Sequence, residues 1–415
     1  MPHDARTTAD VHPPQEEVAR VCALPEVQAA LDWIRTSEPR FVQWQMELAR
    51  IPAPPFGESA RSRWLTDRFR ELSLDAIQTD DVGNVFAVHP GDGVKFISLS
   101  AHLDTVFPST TPLHIQQEGT RLLGPGVSDN AAGVTAMLAI AAAMRATAIH
   151  PSSPVLFVGN VGEEGEGDLR GMRHIFSQQR WLDSIAASVV VDGAGADTVV
   201  AEALGSRRFE IVVRGPGGHS WTDFGLPNPI VVLSHAVAAL ASTPVPATPK
   251  TTLNVGVIRG GTSVNSIPET ASMRVDIRST SPAEIDRLEK ALRVAVDQAV
   301  DDEQRRAISA QKRPPQLAAE IVTIGNRPAG ELASSAHILQ VIRAVDAYLD
   351  NPAQVQRAST DANIPLSLGR EAIALGAGGR GGGAHTFQEW FDCSGRDLGL
   401  KRILLTILLL AGVSE

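Results

Sequence analysis

Three short apolar runs, each breaking off in acid or histidine, constrain this chain more than any other feature. Phe96-Ile-Ser-Leu-Ser100 leads into Ala-His-Leu-Asp at 101–104, Pro154-Val-Leu-Phe-Val158 ends in GNVGEEGEGD, and Val189-Val-Val191 ends in Asp192-Gly193. Runs this short and continuously apolar suit strands buried on both faces. Helical patterns lie between and before them. The spacing is helical from about Glu16 to Ala49, where Ile51-Pro-Ala-Pro-Pro55 stops it, and again over Glu58–Leu72. Ala131–Met144 is alanine-rich and free of proline. Strands alternating with helices predict an α/β layer architecture, with the chemistry where the strands end.

The pattern changes near residue 207. Strand signals at Arg208–Val213, Thr252–Ile258, Ala271–Ile277 and Glu320–Ile324 enclose a helix over Pro229–Ala241 and a longer one from Ser281 to about Gln304. That β-α-β-β-α-β order predicts a ferredoxin-like module inserted at 207–323, with 1–206 and 324–415 forming the other domain. Hinges are expected near 205–207 and 322–326.

Composition narrows the function. The 415 residues are 43% hydrophobic and 20% charged, as in ordinary globular chains of two domains. A net charge of −10 argues against a nucleic-acid surface. Cys22 and Cys393 are the only cysteines, which excludes a disulfide framework and a thiolate zinc cluster. Any metal must therefore be held by histidine and carboxylate. The polar N-terminus, expected to be frayed up to Pro13-Pro14, lacks the apolar core of a secretory signal. Ile403–Val413 is too short to span a bilayer and reads as a buried terminal helix. A cytoplasmic protein without a membrane partner is the resulting expectation.

The ionisable groups gather in the strand-end loops. His102 and Asp104 stand two apart, so on a strand both face one side. Asp129 precedes a helix, whose N-terminus favours negative charge. Glu163-Glu164 lies between Gly162 and Gly165, Asp192 closes the next strand, and His385 follows a glycine-rich loop. Each has an ordinary reading alone: a hydrogen-bonded core histidine, a helix cap, a turn, a solvated acid pair. Together they build one carboxylate-rich pocket, whose repulsion calls for a cation or a proton. Imidazole and carboxylate ligands suit two zinc ions roughly 3.5–4 Å apart, with one carboxylate bridging. A glutamate just outside the ligand set would take a proton from water and pass it to the leaving amine.

The runs SAHLDTVFP, GPGVSDNAAG, GEEGEGD, VDG and GGGAHT, in that order between about 98 and 386, resemble the M20 family of metallopeptidases. The resemblance implies a zinc-exopeptidase-like mixed sheet flanked by helices, with the inserted ferredoxin-like module as a lid and dimerisation domain. It further implies that His102 and Asp192 bind one metal, Glu164 and His385 the other, and that Asp129 bridges. Glu163 would be general base and then general acid, and Asp104 would fix the His102 tautomer. The reverse assignment of Glu163 and Glu164 is chemically similar but departs from the family order. From the inserted module, His219 would stabilise the oxyanion across a homodimer, Asn265 would contact substrate, and Arg278 would grip its carboxylate. A surface ion pair is the ordinary reading of Arg278. The segment Ser359–Asn363 matches the family's STDAN run, without an assigned role.

Two departures from the family pattern stand out. Pro125 and Val127 flank Gly126 where many members carry Arg-Gly, and Thr386-Phe-Gln-Glu follows His385 where several subfamilies carry Ser-Pro-Asn-Glu. The implied activity is hydrolysis of an amide in a small peptide, with zinc as the default ion and cobalt or manganese compatible with the same ligands. A deacylase of N-acyl amino acids keeps the chemistry and changes the substrate. An inactive relative serving as a binding protein would lack a ligand or the base, and none is missing.

Overall fold

The computed structural model describes residues 14–307 and 316–413; the expected frayed tail lies outside them except for Pro14. The chain forms two compact units, one made of Met1–Glu202 and Glu331–Glu415, the other of Ala203–Gly330.

The first unit is built on a mixed sheet. In spatial order its main path is Asp75–Thr79, Val85–His89, Val155–Asn160, Phe96–His102, Ile185–Val191, Glu371–Leu375, Thr198–Ala203 and Gly330–Glu331. The four central strands, Val155–Asn160 to Glu371–Leu375, run parallel. Their neighbours on either side, Val85–His89 and Thr198–Ala203, pair antiparallel. The central strands are almost wholly buried because both faces are covered. One face packs against the core that includes Phe41, Leu65, Met137, Ile342 and Leu404. The other packs against Phe86, Leu156, Met172, Phe176 and Trp181.

The helix Ala131–Ala146 explains its own composition. Every residue from Ala131 to Met144 is buried, so small side chains let it lie close to the sheet and to three other helices. The C-terminal helix Arg396–Ala411 is likewise buried along most of its length. No described helix is long and apolar enough to cross a membrane. The stretch expected to be helical from 16 to 49 is three helices: Pro14–Ala23, Pro25–Thr36 and Glu38–Ala49. Prolines in the first turns of the second and third helices cause the breaks, since each removes a backbone donor and restricts the residue before it.

The second unit is a four-stranded antiparallel sheet in the order Thr251–Gly260, Thr270–Ser279, Gly205–Arg214, Ala318–Arg327. Helices Pro229–Ala241 and Pro282–Arg306 complete the β-α-β-β-α-β order. They cover one face, around Phe209, Ile211, Met273, Ile277, Leu288 and Leu292. The opposite face is laced with ion pairs such as Arg208–Asp276 at 3.2 Å and Arg274–Glu210 at 3.0 Å. The units divide at 202/203 and 330/331, outside the expected hinges. Residues 205–207 and 322–326 lie in the paired strands Gly205–Arg214 and Ala318–Arg327, with Ser206 opposite Arg327 and a register shift between Thr323 and Gly325.

Gly133 marks the tightest contact beneath the central sheet. A Cβ there would stand 2.1 Å from Asn130 Oδ1 and 2.6 Å from the Val191 carbonyl. Gly133→Ala should therefore destabilise the fold by about 1–3 kcal/mol through overpacking. Denaturant unfolding measures this, and an unchanged midpoint would contradict the packing described.

Candidate metal centre

The parallel strands deliver their carboxyl ends to one place. His102 is the last residue of its strand and lies opposite Asn160, the last of the next. Glu163-Glu164 follow Asn160 after a turn, and Asp192 directly follows Val191. Asp129 arrives from the loop before the buried helix. Asn130, not Asp129, caps that helix: its Oδ1 accepts from Gly133 N at 3.0 Å and Gly193 N at 3.2 Å, while its Nδ2 donates to the Val191 carbonyl at 2.8 Å. One side chain thereby ties the Asp129 loop to the Asp192 loop and leaves the Asp129 carboxylate for other work.

Asp129 faces two imidazoles. His102 Nε2 lies 3.1 Å from Asp129 Oδ1 and 3.8 Å from Asp192 Oδ1. His385 Nε2 lies 3.1 Å from Asp129 Oδ2 and 2.9 Å from Glu164 Oε1. Two sets of candidate ligands follow, His102–Asp129–Asp192 and Asp129–Glu164–His385, each with donor atoms within 4.8 Å of one another. They share Asp129. A third set joins His102 with Glu163 and Glu164, so Glu163 stands beside the cluster without belonging to the two that meet at Asp129.

Asp104 does two jobs. Its backbone carbonyl lies 3.1 Å from His102 Nδ1, and its carboxylate lies 3.5 Å from the same nitrogen. The carboxylate also accepts from Glu163 N at 2.9 Å and Glu164 N at 2.8 Å. It thus orients the imidazole and fixes the turn bearing both glutamates.

Three buried groups had no role assigned from the sequence. Glu389 accepts from Gly126 N at 2.8 Å, Ser128 N at 2.7 Å and Asp129 N at 2.8 Å, holding the loop that presents Asp129. Burial pushes its carboxyl up to about 7 against the pull of those amides. Arg61 donates Nε to the Ile51 carbonyl and Nη1 to the Leu103 carbonyl, both at 2.9 Å. Burial lowers its pKa to about 10 although Asp104 and Glu389 raise it. Asp361, within the STDAN run, accepts from Asn160 Nδ2 at 2.6 Å. Burial raises it to about 7, with Asp104 and Asp192 adding to the effect and His102 opposing it. The STDAN run around Asp361 and the position of Glu389, four residues past His385, offered signals in the sequence, and Arg61 offered none.

His219 and Asn265 meet in the second unit on a small ribbon, where His219 pairs with Ser266 and Ser220 N donates to the Asn265 carbonyl at 3.0 Å. Arg278 stands at the other end of Thr270–Ser279, where its Nε donates to Asp276 Oδ2 at 2.6 Å. Arg278 is eight residue steps along the strand from Thr270, roughly 27 Å at an antiparallel rise. The structure does not bring Arg278 to His219 within one copy of the unit.

The donor set suits a pair of divalent ions, since it consists of imidazole and carboxylate. Without ions, protons take their place. The carboxylates of Asp129 and Glu164 raise His385 to about 10. For His102, burial works downward, but Asp104, Asp129 and Asp192 hold it well above the ordinary range. Both imidazoles thus favour their protonated form in the metal-free chain, and a metal must displace those protons. Zinc uptake at pH 7.5 should release protons and weaken as pH falls; calorimetry in buffers of different ionisation enthalpy would read none if the imidazoles are already neutral. Glu389→Gln turns one accepting face toward amide donors, so it should cost on the order of 2 kcal/mol and weaken zinc binding in the same titration. Retained affinity would show that the loop holds itself.

A model of peptidase family M20/M25/M40 matches residues 98–408. The "Probable carboxypeptidase" of Ajellomyces dermatitidis is 29% identical over 222 residues, 49% of this chain and 50% of the relative. The chain spans about half the length of these curated relatives. The fold is similar to the crystal structure of aminopeptidase PepT from Bacillus cereus, with TM-score 0.71 and 19% identity over 90% of this chain and 99% of that one. It is also similar to the YXEP protein of Bacillus subtilis, described as a dinuclear metal-binding peptidase of the M20 family, with TM-score 0.64 and 14% identity over 92% and 100% of the two chains. The chain belongs to peptidase family M20/M25/M40.

Proposed function

We propose that this chain hydrolyses an amide bond in a small peptide, using two divalent cations held by His102, Asp192, Asp129, Glu164 and His385, with zinc the ion best suited to those ligands. The observation that carries the proposal is the Asp129 carboxylate, one oxygen toward His102 and the other toward His385. When bound, the ions supply Lewis acidity that polarises the scissile carbonyl and acidifies a water molecule.

The chain's own groups do the rest. Glu163 is buried beside the cluster, and its turn is fixed by its backbone bond to Asp104. It takes the proton from the attacking water and returns it to the leaving nitrogen, so water and amide become carboxylic acid and amine. Asp104 keeps His102 in the tautomer that leaves Nε2 free for the metal. His219 donates to the oxyanion, Asn265 binds the substrate beside it, and Arg278 pairs with a substrate carboxylate. Residues 203–330 serve as a lid and as the contact between two copies. Two features support that last role. The edge strand Thr251–Gly260 pairs on one side only and exposes Ile258, while Trp221 and Val264 are exposed in the loops around His219 and Asn265. The separation of His219 from Arg278 along the sheet also suits a site in which each copy of the lid supplies one of them.

Activity and metal content test the reading together. Purified chain should carry about two ions and cleave members of a panel of di- and tripeptides and N-acyl amino acids. Glu163→Ala should keep the ions and lose roughly 100- to 10,000-fold in kcat. His219→Ala should keep the ions and lose on the order of 100-fold. Full turnover in either variant removes that residue from the mechanism, and zinc-loaded protein that cleaves nothing overturns the hydrolytic reading. Cleavage confined to the N-acyl amino acids would make the chain a deacylase.

A further inference from the structure

Beside the metal-ligand cluster stands an aromatic pair that the core does not need. Phe107 follows Asp104 by three residues and is buried, whereas Phe387 follows His385 by two and leaves 64% of its surface exposed. Their ring centroids are 5.8 Å apart, inclined at 34°. Two residues span at most roughly 7 Å, so Phe387 stands about one side-chain length from His385. The turn that carries it is fixed at both ends. Thr386 N donates to the Gly383 carbonyl at 3.0 Å, and Gln388 N donates to Thr386 Oγ1 at 3.2 Å. Glu389, the next residue, is anchored by its three amide bonds.

A phenylalanine held out on a fixed turn contributes little to the core. Exposing it costs apolar hydration, and Phe107 covers only part of the ring. Phe56 is similarly exposed but has the Arg170 guanidinium over its ring at 5.0 Å, so its free surface is already used. Among the described residues no guanidinium lies over the Phe387 ring. The pair therefore places apolar surface within three residues of Asp104 and two of His385.

We propose that Phe107 and Phe387 form the wall of a side-chain subsite that selects substrates with an aromatic ring on a residue flanking the scissile amide. Phe107 sets the plane, Phe387 takes the substrate ring in an offset or edge contact, and the cluster holds the amide next to it. This inference rests on the hydrolytic reading above and names its substrate class.

The zinc-loaded chain would be assayed on glycylglycine, phenylalanylglycine, glycylphenylalanine, N-acetylglycine and N-acetylphenylalanine. At least one phenylalanine compound should exceed its glycine counterpart about tenfold or more in kcat/KM. Phe387→Ala should lower that ratio roughly tenfold at unchanged metal content, and Phe387→Tyr should restore most of it. Cleavage without aromatic preference, or a preference that survives Phe387→Ala, overturns the subsite and leaves the hydrolase standing. Loss of metal in Phe387→Ala overturns it too, since the residue would then be a support for His385. No cleavage of any compound sinks the hydrolytic reading, and the subsite with it.

Discussion

The Asp129 carboxylate is the contact on which the site depends. It reaches His102 across 27 residues of sequence and His385 across 256. Nothing local could hold it there. Asn130 fixes the helix start behind it, Glu389 holds the loop in front of it, and the Arg61 guanidinium lies fully buried nearby, bonded to the Leu103 carbonyl between His102 and Asp104. The surrounding acids repel one another, and burial deepens that cost because water is excluded. The fold supplies part of the compensation through Arg61 and through amide donors. The remainder falls to protons drawn onto the imidazoles or to the cations that displace them.

That electrostatic demand also explains the architecture beneath. Four parallel strands ending at one level give a platform whose carboxyl ends carry side chains into a common space. Parallel strands need both faces covered, hence two apolar layers and the alanine-rich helix pressed against the sheet. The second unit has its own core and a polar outer sheet face, as expected of an insertion that folds around its own hydrophobic layer.

Much of this was legible in the sequence because it is written in local patterns. The apolar runs before His102, Glu163 and Asp192 are strands as their composition suggests, and Ser281 caps its helix by accepting from Glu284 N at 3.4 Å. The order of elements in the second unit follows from alternation alone. What could not be read depends on contacts distant in sequence. Arg61 sits in a helix rich in charge and looks like a solvent-facing residue, yet its partners are Ile51 and Leu103. Glu389 looks like an ordinary loop acid, yet its partners lie about 260 residues earlier. Short strands such as Thr198–Ala203 and Glu371–Leu375 carry little periodicity and are set by the neighbours they complete. The helix breaks at Pro25 and Pro39 were readable, but the helical spacing on either side masked them.

The central claim is that one carboxylate joins two cation sites. Anomalous diffraction from crystals grown with zinc addresses it without reference to any substrate. The account predicts two peaks roughly 3.5–4 Å apart, one between His102 and Asp192, the other between Glu164 and His385, with an Asp129 oxygen on each. A single peak, or two peaks of which Asp129 touches only one, would contradict it.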